Sequence, residues 1–108
     1  SLGLVGSEMC IRDRTKTMEQ RKKKFLQISD SFVALPGGGG TIEEISLVVS
    51  ALQLGIIKNK KCLIFNYENY WNDIINQYKK VVNAKFAYKN FKDLFLVCNN
   101  LTEFKEIF

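Results

Sequence analysis

The stretch "ALPGGGGTIEE", residues 34–44, constrains this chain more than any other. An apolar run meets the only proline, then four consecutive glycines, then a threonine, an isoleucine and two glutamates. Each glycine loses more backbone freedom on folding than any other residue. A plain strand-to-helix connection does not need four of them. The run predicts that something approaches this backbone closely.

The flanking pattern says what the glycines connect. Residues 17–29, "TMEQRKKKFLQIS", place Met18, Arg21, Phe25 and Ile28 on one helical face. Residues 31–36, "SFVALP", read as a short buried strand stopped by Pro36. Residues 41–54 put Ile42, Ile45, Val49 and Leu52 on one face of a helix, with Gly55 as its stop. "KCLIFN", residues 61–66, is a second strand. Residues 70–83 form an amphipathic helix with Trp71, Ile74, Ile75, Tyr78 and Val82 inward. "LFLVCN", residues 94–99, is a third strand, and "LTEFKEIF" starts a last helix. Continuous apolar strands alternating with helices predict an α/β fold, a parallel sheet covered by helices on both faces. Such sheets bind ligands at the carboxyl ends of their strands, where the glycine run falls.

Composition narrows the chemistry. The 108 residues suffice for one domain, and 46% hydrophobic content allows a real core. No apolar run approaches the roughly 20 residues needed to cross a bilayer. The net charge of +5 is local: Arg21 to Lys24 form one basic cluster, and Lys58, Lys60 and Lys61 another. At this charge a nucleic acid and a small anionic ligand fit equally well. There is no histidine, and Cys10, Cys62 and Cys98 lack metal-ligand spacing, so no zinc site is expected. Cys62 and Cys98 sit in apolar runs and read as buried, reduced thiols, which favours the cytoplasm.

Residues 1–14, "SLGLVGSEMCIRDR", do not fit the rest of the chain. They lack the basic start and sustained apolar core of a signal peptide. They resemble translated read-through of a sequencing adapter, which would make them a non-native leader and start the natural sequence near Thr15. The alternative is an ordinary N-terminal strand, "LGLV", with a loop.

Backbone N–H groups at a helix N-terminus are unsatisfied, and the helix dipole makes that end partly positive. Gly37, Gly38, Gly39 and Gly40 therefore predict main-chain donors wrapped around a phosphate, with Thr41 adding a hydroxyl. A merely flexible loop is the alternative. The stretch lacks the Gly-Lys-Ser/Thr ending of a P-loop and the spacing of a dinucleotide fingerprint. Thr41 and Glu44 also fit a capping box, in which Thr41 caps the helix and Glu44 reaches back to its N–H. Arg21 falls on the inner face of the first helix and needs an anion there; an internal salt bridge or a snorkelling side chain would also satisfy it. The neighbouring lysines read as a solvated face.

"PGGGGTIEE" resembles the P-G-G-x-G-T-x-x-E motif of the LOG family, cytokinin riboside 5′-monophosphate phosphoribohydrolases formerly labelled lysine decarboxylases. "MEQRKKKF" resembles that family's M-H-x-R-K motif, and the spacing between the two fits. "SALQLGIIKNKKCLIFNYENYWNDII" looks like the family's continuation. The resemblance covers residues 15–108. It implies a Rossmann-like domain and cleavage of the N-glycosidic bond of a nucleoside 5′-monophosphate, giving base and ribose 5-phosphate. Arg21 and Glu44 would be the catalytic pair, Gly37 to Gly40 and Thr41 the phosphate site, and Met18 and Lys22 substrate-lining residues. No metal or organic cofactor is implied. The partners implied are the nucleotide substrate and a second copy in a homodimer, with neither nucleic acid nor membrane. A non-catalytic nucleotide- or phosphate-binding module is the alternative, and a half-domain that merely associates is a third reading.

Two departures stand out. The motif's histidine is Glu19 here. Family members are also nearly twice this length, so residues 15–108 are expected to be the C-terminal half of the domain, with little or no activity expected on their own.

Overall fold

The computed structural model describes residues 2–5, 17–86 and 90–107. The elements run β1 (Leu2–Val5), α1 (Met18–Ile28), β2 (Ser31–Ala34), α2 (Gly39–Gln53), β3 (Lys61–Phe65), a 3-10 turn (Tyr67–Asn69), α3 (Asn72–Asn83), α4 (Phe91–Leu94), β4 (Leu96–Cys98) and α5 (Leu101–Ile107). The strands form one four-stranded parallel sheet in the order β1-β2-β3-β4. The α/β architecture expected from the alternation is present.

Side chains alternate across a strand, so each central strand feeds two cores. Phe32, Ala34, Cys62 and Ile64 pack on one face with Phe25, Ile45, Val48, Trp71 and Phe95. Val33, Leu63 and Cys98 face the other way, under Phe104 and Ile107 of α5. Helices thus lie on both faces, but unequally: the large core is under α1, α2 and α3. Phe25 anchors α1 to the sheet, with its ring centroid 5.1 Å from that of Phe32. Burying such a ring contributes roughly 2–3 kcal/mol.

Leu2–Val5 form a strand. They pair in parallel with β2, from Leu2 against Ser31 to Val5 against Ala34. Gly3 fits tightly there, since a Cβ on it would lie 2.5 Å from Ser29 Oγ. Cys10 and the rest of that leader lie outside the described residues.

Several local expectations are corrected. α2 begins at Gly39 rather than Thr41, with Gly38 as N-cap. Ile42 is 44% exposed, and the buried face runs through Thr41, Ile45, Val48, Val49 and Leu52. The two added helical residues, Gly39 and Gly40, shift where the helix starts, not its period. On α1, Met18 and Ile28 are exposed while Leu26 is buried, because the helix packs on the core through Phe25 and Leu26, toward its C-terminal end. Leu94 ends α4 instead of opening the third strand, which is Leu96–Cys98.

Candidate active site

α1 is started by a capping box that lies outside the glycine stretch. Thr17 Oγ1 accepts from Gln20 N–H (3.1 Å), and Gln20 Oε1 accepts from Thr17 N–H (3.2 Å). At its other end, the Lys60 ammonium donates to the carbonyls of Leu26 (2.6 Å) and Gln27 (3.2 Å). A cation on the last carbonyls of a helix complements its dipole. Both ends of α1 are therefore fixed, and Phe25 holds its middle. Arg21, one turn before Phe25, is carried to a set place.

That place is a cavity of about 150 Å³ between α1 and α2. Met18, Arg21, Lys22 and Phe25 line it from α1, and Gly40, Glu43, Glu44 and Leu47 from α2. Five residues expected at the site meet here: Met18, Arg21, Lys22, Gly40 and Glu44. Gly37, Gly38, Gly39 and Thr41 do not line this cavity; Gly37 and Gly38 lead into α2, and Gly39 and Thr41 lie in its first turn. Phe25, Glu43 and Leu47 complete the walls, and their i, i+4 spacing to Arg21, Gly39 and Glu43 was the available signal.

The charges in the cavity differ in their partners. Lys22 Nζ meets Glu43 Oε1 at 2.8 Å. Arg21 Nε is buried and finds no hydrogen-bond partner among the described residues. A buried guanidinium N–H left unpaired is costly, so this one is available to an incoming acceptor. The internal-salt-bridge reading of Arg21 leaves that atom unexplained.

The fold explains glycine at only one position of this stretch. None of Gly37 to Gly40 has a positive φ, so no left-handed turn demands glycine. Gly37 has an internal reason: a Cβ there would overlap Thr41 Oγ1. Around Gly38, Gly39 and Gly40 an added Cβ would meet nothing within 4 Å. The fold itself does not require glycine at these three. What remains is open space over the first N–H groups of α2, which have no carbonyl partners within the helix.

The capping-box expectation at Thr41 and Glu44 does not hold. Gly38 is the N-cap, no side chain caps α2, and Ile42 N–H bonds Gly38 O at 3.1 Å. Gly39 and Gly40 adopt helical geometry despite their low propensity, so Thr41 is the third helical residue and is buried. Glu44 then sits nearly two turns beyond the cap, on the cavity wall.

One contact has no counterpart in the sequence pattern. The hydroxyl of Tyr70, just before α3, donates to Gly37 O. It joins the loops after β2 and β3 at the carboxyl edge of the sheet. Two residues 33 positions apart give no local sequence signal.

Likeness to known proteins decides the kinship of a chain with this geometry. The family model described as "possible lysine decarboxylase" matches residues 8–107. The chain belongs to this family, the LOG family of the motif resemblance. A probable cytokinin riboside 5′-monophosphate phosphoribohydrolase of Oryza sativa subsp. japonica is 33% identical over 99 residues, covering 92% of this chain and 41% of that protein. Two Arabidopsis thaliana proteins named cytokinin riboside 5′-monophosphate phosphoribohydrolases are similar. One is 37% identical over 92 residues (85% of this chain, 40% of that protein). The other is 42% identical over 82 residues (76% and 36%). The chain thus spans about two fifths of the length of the curated LOG relatives it matches, a larger shortfall than the motif resemblance implied. Among the described residues, no helix is long and apolar enough to cross a membrane.

Proposed function

We propose that this chain is the C-terminal part of a phosphoribohydrolase that cleaves the N-glycosidic bond of nucleoside 5′-monophosphates, cytokinin riboside 5′-monophosphate or AMP, to free base and ribose 5-phosphate. The observation that carries this reading is the cavity in which Arg21 and Glu44 share walls with Gly40. A binding module would need the glycine turn; it would not need a carboxylate and an arginine beside it.

The chemistry follows from the charges. Water adds to C1′ of the ribose as the C1′–N bond breaks; the bonding pair leaves with the base nitrogen, which takes up a proton. The transition state is oxocarbenium-like, so the Glu44 carboxylate stabilises its positive charge or activates the water. Arg21 orients that carboxylate or the ribose phosphate through its planar donors. The N–H groups of Gly38 to Thr41 hold the 5′-phosphate at the α2 N-terminus. Met18 and Lys22 line the substrate, Lys22 within its pair with Glu43.

The same reading assigns residues 15–108 to the C-terminal part of the domain, with residues 1–14 a non-native leader whose β1 fills the sheet edge beside β2. It makes the protein a cytoplasmic homodimer that binds neither nucleic acid nor membrane; exposed Leu54, Ile56 and Phe86 support association. Base release from AMP and adenosine tests the function. The chain extended upstream to its relatives' length should release adenine from AMP and leave adenosine intact. The 108-residue chain should bind AMP in preference to adenosine with little or no turnover. Tight AMP binding without hydrolysis by the extended chain would establish the binding-module reading instead.

A further inference from the structure

We infer that Tyr70 is a positioning residue: its hydroxyl locks the Gly37–Gly38 peptide in the orientation that presents the Gly38 N–H to an anion. The inference rests on the phosphate reading of the glycine turn and adds to it a residue outside both motifs.

The peptide unit between the two glycines sets the geometry. Gly37 C=O and Gly38 N–H belong to one planar trans group, so they point in opposite directions. The Tyr70 hydroxyl donates to the Gly37 carbonyl oxygen. The Gly38 N–H therefore points away from Tyr70. Gly38 is exposed, and its N–H has no partner among the described residues. A peptide between two glycines is also the easiest to turn over, because no Cβ opposes either rotation. Turned over, it would aim a carbonyl oxygen at the anion in place of a donor. Thr41 Oγ1 lies where a Cβ on Gly37 would stand, whereas the hydroxyl bonded to the Gly37 carbonyl is that of Tyr70. That bond holds the carbonyl on the Tyr70 side of the turn.

The turn carrying Tyr70 is built at some cost. Glu68 (φ 50°) and Asn69 (φ 63°) are consecutive non-glycine residues in the left-handed region, which is unfavourable for each and persists only where the surroundings fix it. Asn66 does the fixing. It is buried, its Oδ1 accepts from Trp71 N–H (2.7 Å) and its Nδ2 donates to Asn72 Oδ1 (2.8 Å). Its carbonyl accepts from Asn69 N–H at 3.3 Å. The Tyr70 ring stands edge-on to buried Trp71, centroids 4.8 Å apart. An over-determined, strained turn thus delivers one exposed hydroxyl to one carbonyl across the sheet edge.

Tyr70→Phe removes the hydroxyl and leaves the ring. Binding of AMP, inorganic phosphate and adenosine to the 108-residue chain is measured by calorimetry. The expected result is a Kd for AMP and phosphate raised about 3- to 10-fold, as the competent orientation loses population, with adenosine unaffected. A merely structural defect would weaken all three alike. Equal affinity of Tyr70→Phe and wild type for AMP and phosphate overturns the role of Tyr70 alone; failure of the wild type to bind either overturns the phosphate reading and this inference together. The ligand-free wild type gives a variant-independent readout. Its Gly38 amide should show one conformation by nuclear magnetic resonance relaxation dispersion, and exchange between two populated orientations overturns the lock.

Discussion

The ammonium of Lys22 and the carboxylate of Glu43 meet at 2.8 Å across the gap between α1 and α2. This pair closes one side of the cavity that holds Arg21 and Glu44. Both side chains are substantially exposed, at 38% and 60%, so water screens their attraction. A double-mutant cycle of Lys22→Met and Glu43→Gln, read by chemical denaturation, should give a coupling below about 1 kcal/mol. A coupling above about 2 kcal/mol would make the pair a structural tie between the helices.

The glycines offer a sharper separation of stability from binding. Gly39 and Gly40 are helical, with open space where a Cβ would stand. Gly39→Ala and Gly40→Ala should each stabilise the chain, by about 0.5–1 kcal/mol at most. If a phosphate approaches these N–H groups, the added methyl should also weaken AMP binding about 5-fold or more. Gly37→Ala should behave oppositely, because its methyl would meet Thr41 Oγ1; it should destabilise by about 1–3 kcal/mol. Alanines at 39 and 40 that leave AMP affinity untouched would show that the ligand does not come that close.

What the sequence shows and hides has a physical pattern. The alternation of apolar runs with helical periodicity was readable because each run is long enough to carry its own period, and the central strands have no solvated face. Arg21 and Glu44, paired by the motif resemblance, line one cavity. The helix start at Gly39 was hidden, because glycine is a poor helix former and Thr-x-x-Glu imitates a cap. The cap of that type belongs to Thr17 and Gln20. Exposure of Met18 and Ile28 depends on how far the sheet extends under α1, which no local pattern encodes. Tyr70 and Lys60 act on carbonyls more than thirty residues away, and side chains aimed at distant main chain leave no periodic trace.

Lys60 illustrates that last class and yields its own test. In sequence it is one of a basic cluster; in the fold its ammonium holds the last carbonyls of α1. Lys60→Met keeps the stem and removes the charge-assisted bonds. The expected loss is about 1–2 kcal/mol in denaturation experiments. Neighbouring Lys58→Met, on an exposed residue, should stay within about 0.5 kcal/mol. Equal effects at the two sites would mean that the Lys60 bonds contribute nothing net.

Burial pushes the Cys62 thiol from 9.0 up to about 12. The sign depends on which state holds the proton. Below pH 9 both folded and unfolded chains keep it, and the contribution of Cys62 is fully present. Between pH 9 and 12 the unfolded thiol ionises while the folded one does not, so stability falls as pH rises, by at most about 1.4 kcal/mol per pH unit. Cys62→Ala should flatten that part of the stability profile. At pH 8 the native Cys62 should resist alkylation and react only on unfolding; rapid labelling of the folded chain would contradict its burial.

Glu44 gives the decisive variant because its capping role is gone. With Gly38 as N-cap and no side-chain bond at that cap, Glu44→Gln should leave the start of α2 intact and change stability by less than about 0.5 kcal/mol. Its shape still fits the cavity wall beside Arg21 and Gly40. Only the charge is lost, and the charge is what an oxocarbenium-like transition state needs. In the chain extended to its relatives' length, base release from AMP should fall about 100-fold or more, within the range of acid–base groups, while AMP affinity should hold on the proposed placement of the phosphate at the glycine turn. Arg21→Ala should also abolish turnover. A Glu44→Gln enzyme with near-normal turnover would remove this carboxylate from the reaction, and the enzymatic reading of the cavity with it.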